Sequence, residues 1–328
     1  MNWPLGASQI YGSFPTMSHK PPIIRHSPNS QSACQIHPNF YSGAKSLRRY
    51  FDEVFSNPHS TDSRRFCWDP WSVEGQYRLL RTPAESFFPK TVFSGFLEHL
   101  LHWGREHLGC QMISHPWLSA YTDHCHQGLH SDVPHGPFSF VFSLTNWNSR
   151  SFSGGETLIA KPTLLRYFSE MPNGASHEEK DLLQSVPARF NQLTVFDPRY
   201  PHGVRMVQGV DSILDSRLVI HGWFTDPRPM LEGALSFKQI LRPMDSFASN
   251  VMSRITSTQN ISGLLSLRLH INEAGVPASI DVISSNLLSS TGAKLSKKSL
   301  EKILMETGIS FPRARSKTRL TLPLLFQR

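Results

Sequence analysis

Cysteine is scarce in this chain. Four occur in 328 residues (Cys34, Cys67, Cys110 and Cys125), scattered without a repeated short spacing. That argues against a disulfide-stapled framework and against a zinc-finger module. No run of 18 or more apolar residues occurs, so no membrane-spanning helix is expected. The opening residues contain no basic stretch followed by an apolar core, so they do not read as a secretory signal. A cytoplasmic setting is the expectation. Charged residues make up a low 18% and apolar residues 39%, which fits a folded protein rather than a fibrous or disordered one. Aromatic residues thin out towards the end: beyond Phe237 there are Phe247, Phe311 and Phe326 and no others. A stacking platform for single-stranded nucleic acid is therefore not expected there.

Positive charge is present but uneven. Residues 238–328 carry 13 Lys and Arg against 5 Asp and Glu, while the preceding 237 residues hold 20 of each. The step falls near residues 226–240, where TDPRPM also breaks the pattern, and it marks a boundary between two units. The chain is long enough for two. A basic tail solubilises a small unit, or meets an acidic partner surface.

Histidine is plentiful, at 16 residues, and two stretches fit together. One is His130-Ser131-Asp132; the other, 70 residues after Asp132, is Pro201-His202-Gly203-Val204. His-x-Asp with a distant His is the ligand set of a non-haem iron(II) site, two imidazoles and a carboxylate on one face of the metal. Side chains alternate along a strand, so His130 and Asp132 are expected on one side. A ligand from a distant strand closes the face if the sheet curls into a barrel or sandwich. The run VRMVQGVDSILDSRLVIHGWF reads as a hairpin turning near Gly209–Asp211, which would set Arg217 opposite His202. A guanidinium there suits bidentate capture of a carboxylate. Arg205 competes for that role, but three positions after His202 it is expected on the other face. His124-Cys125-His126 offers a rival same-face pair, His124 and His126, and with its Cys suggests zinc, but no matching Cys or His group follows at finger spacing. His135 and His221 read as residues lining the site or the surface.

Residues 85–226 resemble the 2-oxoglutarate- and iron(II)-dependent dioxygenases, in particular their prolyl 4-hydroxylase-like branch. The matching landmarks come in order: Tyr121 ahead of the His-x-Asp, FVFSLTNW at 140–147, the turn Gly154-Gly155-Glu156-Thr157, FNQLTVFDPRYPHGV up to His202, and RLVIHGWF. The resemblance implies a mainly β fold, a double-stranded β-helix (jelly roll) with flanking helices. It implies iron(II) on His130, Asp132 and His202, with 2-oxoglutarate and O₂ as cosubstrates and ascorbate as an accessory reductant. The distal carboxylate of 2-oxoglutarate would pair with Arg217, with Tyr121 and Ser143 as further cosubstrate-binding candidates. The chain departs from the family in two places. His202 and Arg217 lie 15 residues apart, longer than is usual, and Ser143 stands near where some members place a Tyr. The implied reaction is hydroxylation of a C–H bond, in a prolyl or other side chain of a peptide or protein or in a small molecule, with release of succinate and CO₂. The carboxylate of Asp132 favours hydroxylation over halogenation. Two other classes stay open: an inactive jelly-roll protein that binds through its C-terminal unit, and a cupin-like metal enzyme without a cosubstrate. Succinate release and 2-oxoglutarate dependence separate them.

Patterning outside the site divides the chain further. Residues 1–45 show no sustained periodicity and read as a flexible segment with some strand near its end. TVFSGFLEHLLHWGREHLG, at 91–109, has helical spacing and a terminal Gly. The dioxygenase unit is expected over 46–230, then a helical linker over 231–259 interrupted at Pro243. A small α+β unit over 260–328 follows, reading strand, NEAG turn, strand, helix, strand. That tail resembles the C-terminal domain of TonB-like energy transducers, through Gly263, the 272–275 turn, Ser284-Ser285, Phe311-Pro312 and the Pro323-to-Phe326 ending. The resemblance implies a β-sheet module able to dock a partner strand at its edge, and so a protein partner.

Overall fold

Period-two alternation explains how the main sheet is covered on both sides. In the strand Arg217–Thr225, Leu218, Ile220 and Phe224 are buried in the principal hydrophobic core. Arg217, Val219, His221 and Trp223 line a cavity on the opposite face. The strand Phe138–Ser143 repeats this, with Phe138 and Phe142 in the core and Ser139 and Val141 on the cavity. Both strands read as nearly continuous apolar runs because neither face meets bulk water.

In this computed structural model the described residues are 21–133, 135–166, 178–257, 260–290 and 294–327. They form two sheets. The larger curls through Leu183–Val186, Thr157–Ala160, His202–Val204, His126–His130, Tyr77–Pro83, Trp117–Tyr121, Arg217–Thr225, Phe138–Ser143, Gln192–Phe196 and Cys34–His37. The ladder is antiparallel throughout, and the fold is the expected jelly roll. Strand Tyr77–Pro83 joins its two halves. Its start pairs with Gln127 and His126, and its end with the strand Trp117–Tyr121. Helices Ala44–Ser56 and Lys90–Leu108 cover the outside, burying Leu47, Phe51, Phe96 and Leu100. The second helix ends, as its sequence foretells, on Gly109 in the left-handed region at φ 73°.

The smaller sheet holds the tail. Strand Ile261–Ile271 pairs antiparallel with both Pro277–Ser285 and Thr318–Phe326, and helix Lys297–Glu306 buries Leu300 and Leu304 against them. Two features differ from the sequence expectation. Helix Phe237–Thr256 continues through Pro243, and it is no linker. Its stripe of Ile240, Met244, Phe247, Val251 and Ile255 lies in the core of the second sheet, and Ser236 and Gln239 form a capping box at its start. That burial offsets the hydrogen bond a proline removes. Residues 21–45 of the N-terminal segment are also built into the fold, with the expected strand near its end; residues 1–20 lie outside the described residues. Strand Ile23–His26 joins the second sheet, parallel to Pro277–Ser285, and strand Cys34–His37 joins the jelly roll. The segment expected to be flexible therefore crosses from one sheet to the other.

The units are knit together by specific contacts. Ser266 donates to the Leu108 carbonyl at 2.6 Å, and Asn286 Nδ2 to the Pro137 carbonyl at 2.9 Å. Arg199, paired with Asp197, donates to the carbonyls of Ser262 and Asn286. Leu264, on the second sheet, is fully buried in the core of the first. We expect Leu264→Ala to cost about 2–5 kcal/mol, as for other large-to-small core changes. Six of the 7 Trp lie between residues 68 and 223, within the jelly-roll unit, and Trp3 lies outside the described residues, so in a Trp3→Phe background tryptophan fluorescence reports the jelly roll. Its urea transition should shift with the whole-chain circular dichroism transition; an unmoved fluorescence transition would mean that the tail unfolds independently.

Candidate metal centre

His130 closes the strand His126–His130 and lies directly opposite His202, the first residue of His202–Val204. Asp132 lies just beyond the strand, not within it, and its backbone N–H donates to the Pro198 carbonyl at 3.0 Å. The same side is reached, but through a tethered loop rather than strand alternation. His130 Nε2 is 3.4 Å from Asp132 Oδ1, and His202 Nε2 is 3.2 Å from Asp132 Oδ2. Ligand atoms of all three residues lie within 4.8 Å of one another, the one such group found among the described residues. Two ligands at right angles on a first-row ion, each about 2.1 Å away, are about 3 Å apart. The donor set fits a cation of that kind.

The tautomers fit as well. His130 Nδ1 donates to the Gly128 carbonyl at 2.8 Å and His202 Nδ1 to the Tyr200 carbonyl at 3.0 Å. With Nδ1 turned to a carbonyl, Nε2 is the atom that each ring presents to Asp132, and the one that would ligate a metal once its proton is released. Burial works against charge at Asp132, but hydrogen bonds from both histidines outweigh it and hold the carboxyl far below the usual range. At His130 burial is likewise outweighed, chiefly by the hydrogen bond with Asp132, and its pKa is raised. Asp132 stays available as an anionic ligand.

Arg217 is 1% exposed. Its Nε donates to the Gly155 carbonyl at 2.7 Å and its Nη2 to Thr157 Oγ1 at 3.0 Å. The Tyr121 ring lies 4.5 Å from the guanidinium carbon. Nη1 is buried without a hydrogen-bond partner, and no carboxylate pairs with the guanidinium among the described residues. The Gly154-Gly155-Glu156-Thr157 turn is thus the cradle of this arginine. Arg217 and the three ligand residues line one cavity of about 800 Å³.

The route by which Arg217 arrives differs from the hairpin expected. His202–Val204 pairs with His126–His130 and Thr157–Ala160, whereas Arg217 lies opposite Tyr121. Both edges of the short His202 strand are already taken, so no ladder joins it to Arg217–Thr225. Curling of the sheet brings the two faces together instead. Ser143 also has another task. Its hydroxyl donates to the Ala188 carbonyl at 2.7 Å and accepts from Thr145 N–H at 3.1 Å, and it does not line the cavity. Arg205 turns outward to Glu156 and Glu179, as expected. Of the rival cluster, Cys125 is buried among apolar residues and His126 bonds the His124 carbonyl. His135 and His221 both line the cavity. No sequence pattern marks Gln127, which bridges Tyr121 and His130 at 3.4 and 3.3 Å, or Ser119, which bonds His221 at 2.8 Å.

Burial, then the charge of Arg217, pushes the His221 imidazole down to about 4. An unfolded histidine titrates near 6.5. Between these values the unfolded chain takes up a proton that the folded chain refuses, so stability is full above about pH 6.5 and declines as pH falls towards 4. The contribution is on the order of 3 kcal/mol. Urea midpoints measured from pH 7 to 4.5 should fall steeply, and His221→Gln should flatten that slope; an unaltered slope would place the acid sensitivity elsewhere.

No family model matches this sequence, and no curated protein matches it. Among solved structures it is similar to a prolyl-4-hydroxylase from Pseudomonas putida at 14% identity and a TM-score of 0.41, over 60% of this chain and 95% of that one. It is similar to HygX from Streptomyces hygroscopicus, solved with nickel and 2-oxoglutarate bound, at 15% identity and a TM-score of 0.40, over 59% and 83%. A 2OG-Fe(II) oxygenase family oxidoreductase from Burkholderia pseudomallei has 15% identity and a TM-score of 0.39, over 60% and 93%. Likenesses this slight do not say what the chain does; that reading rests on its own residues.

Proposed function

We propose that this chain is an iron(II)- and 2-oxoglutarate-dependent dioxygenase that hydroxylates a C–H bond and releases succinate and CO₂. One observation carries the reading. A His-Asp-His ligand set with both Nδ1 protons fixed shares its cavity with a buried guanidinium that forms no ion pair among the described residues and whose Nη1 has no hydrogen-bond partner there. His130, Asp132 and His202 would hold the metal. Bound there, iron(II) supplies the activation of O₂, with 2-oxoglutarate as the source of electrons. The residues do the rest. Gly128 and Tyr200 orient the imidazoles through their carbonyls. Arg217 receives the distal carboxylate, guided by Gly155 and Thr157 and packed against the Tyr121 ring. A buried cation without a partner is costly, and a dicarboxylate relieves that cost while spanning from arginine to metal. We infer a peptide, protein or small-molecule substrate; the prolyl side chain is the specific candidate that the sequence resemblance raises.

For the tail we propose a supporting role over strand docking. The outer edges of its three-stranded core already carry this chain's own strands, Ile23–His26 on one side and Met230–Gly233 on the other. A partner strand would have to add outside those. An inactive binding protein is the second reading of the whole chain, and succinate release separates it from the first.

His202→Ala should abolish stoichiometric iron(II) binding, measured by anaerobic titration, while circular dichroism stays native; tight binding in that variant would remove the metal assignment. Arg217→Gln should raise the 2-oxoglutarate requirement by tens- to thousands-fold, equivalent to roughly 2–5 kcal/mol for a lost buried charge pair. Arg217→Lys should recover part of the loss, since charge stays but the fork goes. Arg205→Ala should leave the requirement unchanged; equal effects at both arginines would mean that the cosubstrate pairs elsewhere.

A further inference from the structure

A second guanidinium borders the same cavity, and neither the metal nor the cosubstrate reading employs it. Arg81 lies on Tyr77–Pro83, the strand that joins the two halves of the jelly roll. Its guanidinium carbon is 3.2 Å from the centroid of the Trp71 ring and 4.1 Å from that of Trp117. All three residues line the cavity. Asp69 faces Arg81 across the ladder and acts on its charge, yet no hydrogen bond or ion pair to the Arg81 guanidinium occurs among the described residues, and its Nε is buried without a partner. Two more unpartnered polar atoms lie on the wall, Trp223 Nε1 and Ser139 Oγ, on residues paired across adjacent strands. Two of the three groups can only donate, and the third can.

Two indole faces satisfy a guanidinium as a cation and hold it in place, but they accept none of its N–H bonds in its own plane. Such a group is pre-organised for an oxyanion approaching the rim of the sandwich. Burial without hydrogen bonds is the exception in folded proteins, and three such atoms around one cavity point to a ligand rich in acceptors. Arg217 does not duplicate this. It is engaged by Gly155 and Thr157, and under the proposed function its free Nη1 would meet the dicarboxylate cosubstrate.

We propose that the substrate is anionic: a carboxylate or phosphate group pairs with Arg81 between Trp71 and Trp117, while other acceptors on the substrate meet Trp223 and Ser139. This rests on the reading of the cavity as the substrate site. Arg81 is a specificity residue under this proposal, distant in role from the metal ligands.

The test uses the full chain without added iron or 2-oxoglutarate, titrated with phenylacetate, phenyl phosphate and phenylacetamide and followed by tryptophan fluorescence. At least one of the two anions should bind about tenfold or more tightly than the neutral amide, as a charge-assisted bidentate pair requires. Arg81→Gln should remove that preference and Arg81→Lys should retain part of it. The anion that gains more names the group. Equal binding of both anions and the amide by the unaltered protein overturns the proposal, whatever the variants do. So does a preference that survives in Arg81→Gln, or one that disappears in Arg217→Gln while Arg81→Gln keeps it. Failure here alongside 2-oxoglutarate-dependent succinate release discards the anionic substrate alone. Absence of succinate release, with the anion preference intact, discards the dioxygenase reading and leaves an anion-binding cavity.

Discussion

A positive charge held dry inside the jelly roll sets the terms for everything around it. Arg217 lies at 1% exposure and forms no ion pair with a carboxylate among the described residues. Isolated charges in such surroundings are unfavourable by several kcal/mol unless hydrogen bonds and a counter-ion compensate. Two hydrogen bonds come from the 154–157 turn, and that turn demands glycine. Gly154 has φ 76°, and a Cβ there would sit 1.8 Å from the Met206 carbonyl oxygen. Gly155 has φ 81°, and its N–H donates to the Arg205 carbonyl. Without this close approach the Gly155 carbonyl would not face Arg217. The local sequence, the turn and the charged site are therefore one construction, and what it leaves unsatisfied, a single N–H corner, is the part that a ligand can use.

The metal centre depends on a different constraint, the fixing of imidazole protons by backbone carbonyls. Gly128 and Tyr200 each lie two residues before the histidine they orient. In both cases the peptide leading into the ligand also directs its ring. This is why the site can be formed by short strands: His202–Val204 spans three residues, yet ladders on both edges hold it. The cavity behind it is also lined by a neutral His221. Burial and Arg217 keep that ring uncharged, so it adds a hydrogen bond to Ser119 without adding a third cation.

Features set by local periodicity were legible in the sequence. The strands of 117–225, the helix ending at Gly109 and the His-x-Asp with its distant His all rest on spacing along the chain. What stayed hidden depends on which strands become neighbours. Arg217 reaches the site, but opposite Tyr121 rather than His202, because a hairpin signature describes the turn and not the competing partners of each strand. Ser143 shares the inward parity of Ser139 and Val141, yet its hydroxyl is consumed by Ala188 and Thr145, and no pattern in the chain announces that. Phe237–Thr256 reads as helical from its sequence, but helical propensity does not say which core its apolar stripe enters. Arg81 lay outside the landmarks altogether. An arginine between tryptophans is unremarkable until Trp71, ten residues before it, and Trp117, thirty-six after it, close on its two sides.

The same reasoning changes the meaning of the basic tail. As a count, an excess of 8 positive charges over residues 238–328 invites an acidic partner. In the fold a share of that charge is spent within the chain. Arg268 and Arg319 both meet Glu106 on the helix Lys90–Leu108, Arg319 also meets Glu232, and Arg254 meets Glu306. These pairs are partly exposed, and each adds little stability alone. Their placement matters more than their strength. Glu106 lies in the last turn of a helix whose other face is the core of the jelly roll, so the tail's arginines are matched to the unit they pack on. Ser266 completes the junction at Gly109, where a Cβ would sit 2.7 Å from its hydroxyl oxygen. A glycine that ends a helix in one unit thus also makes room for a side chain of the other, and the boundary seen in charge composition is, in packing, a joint.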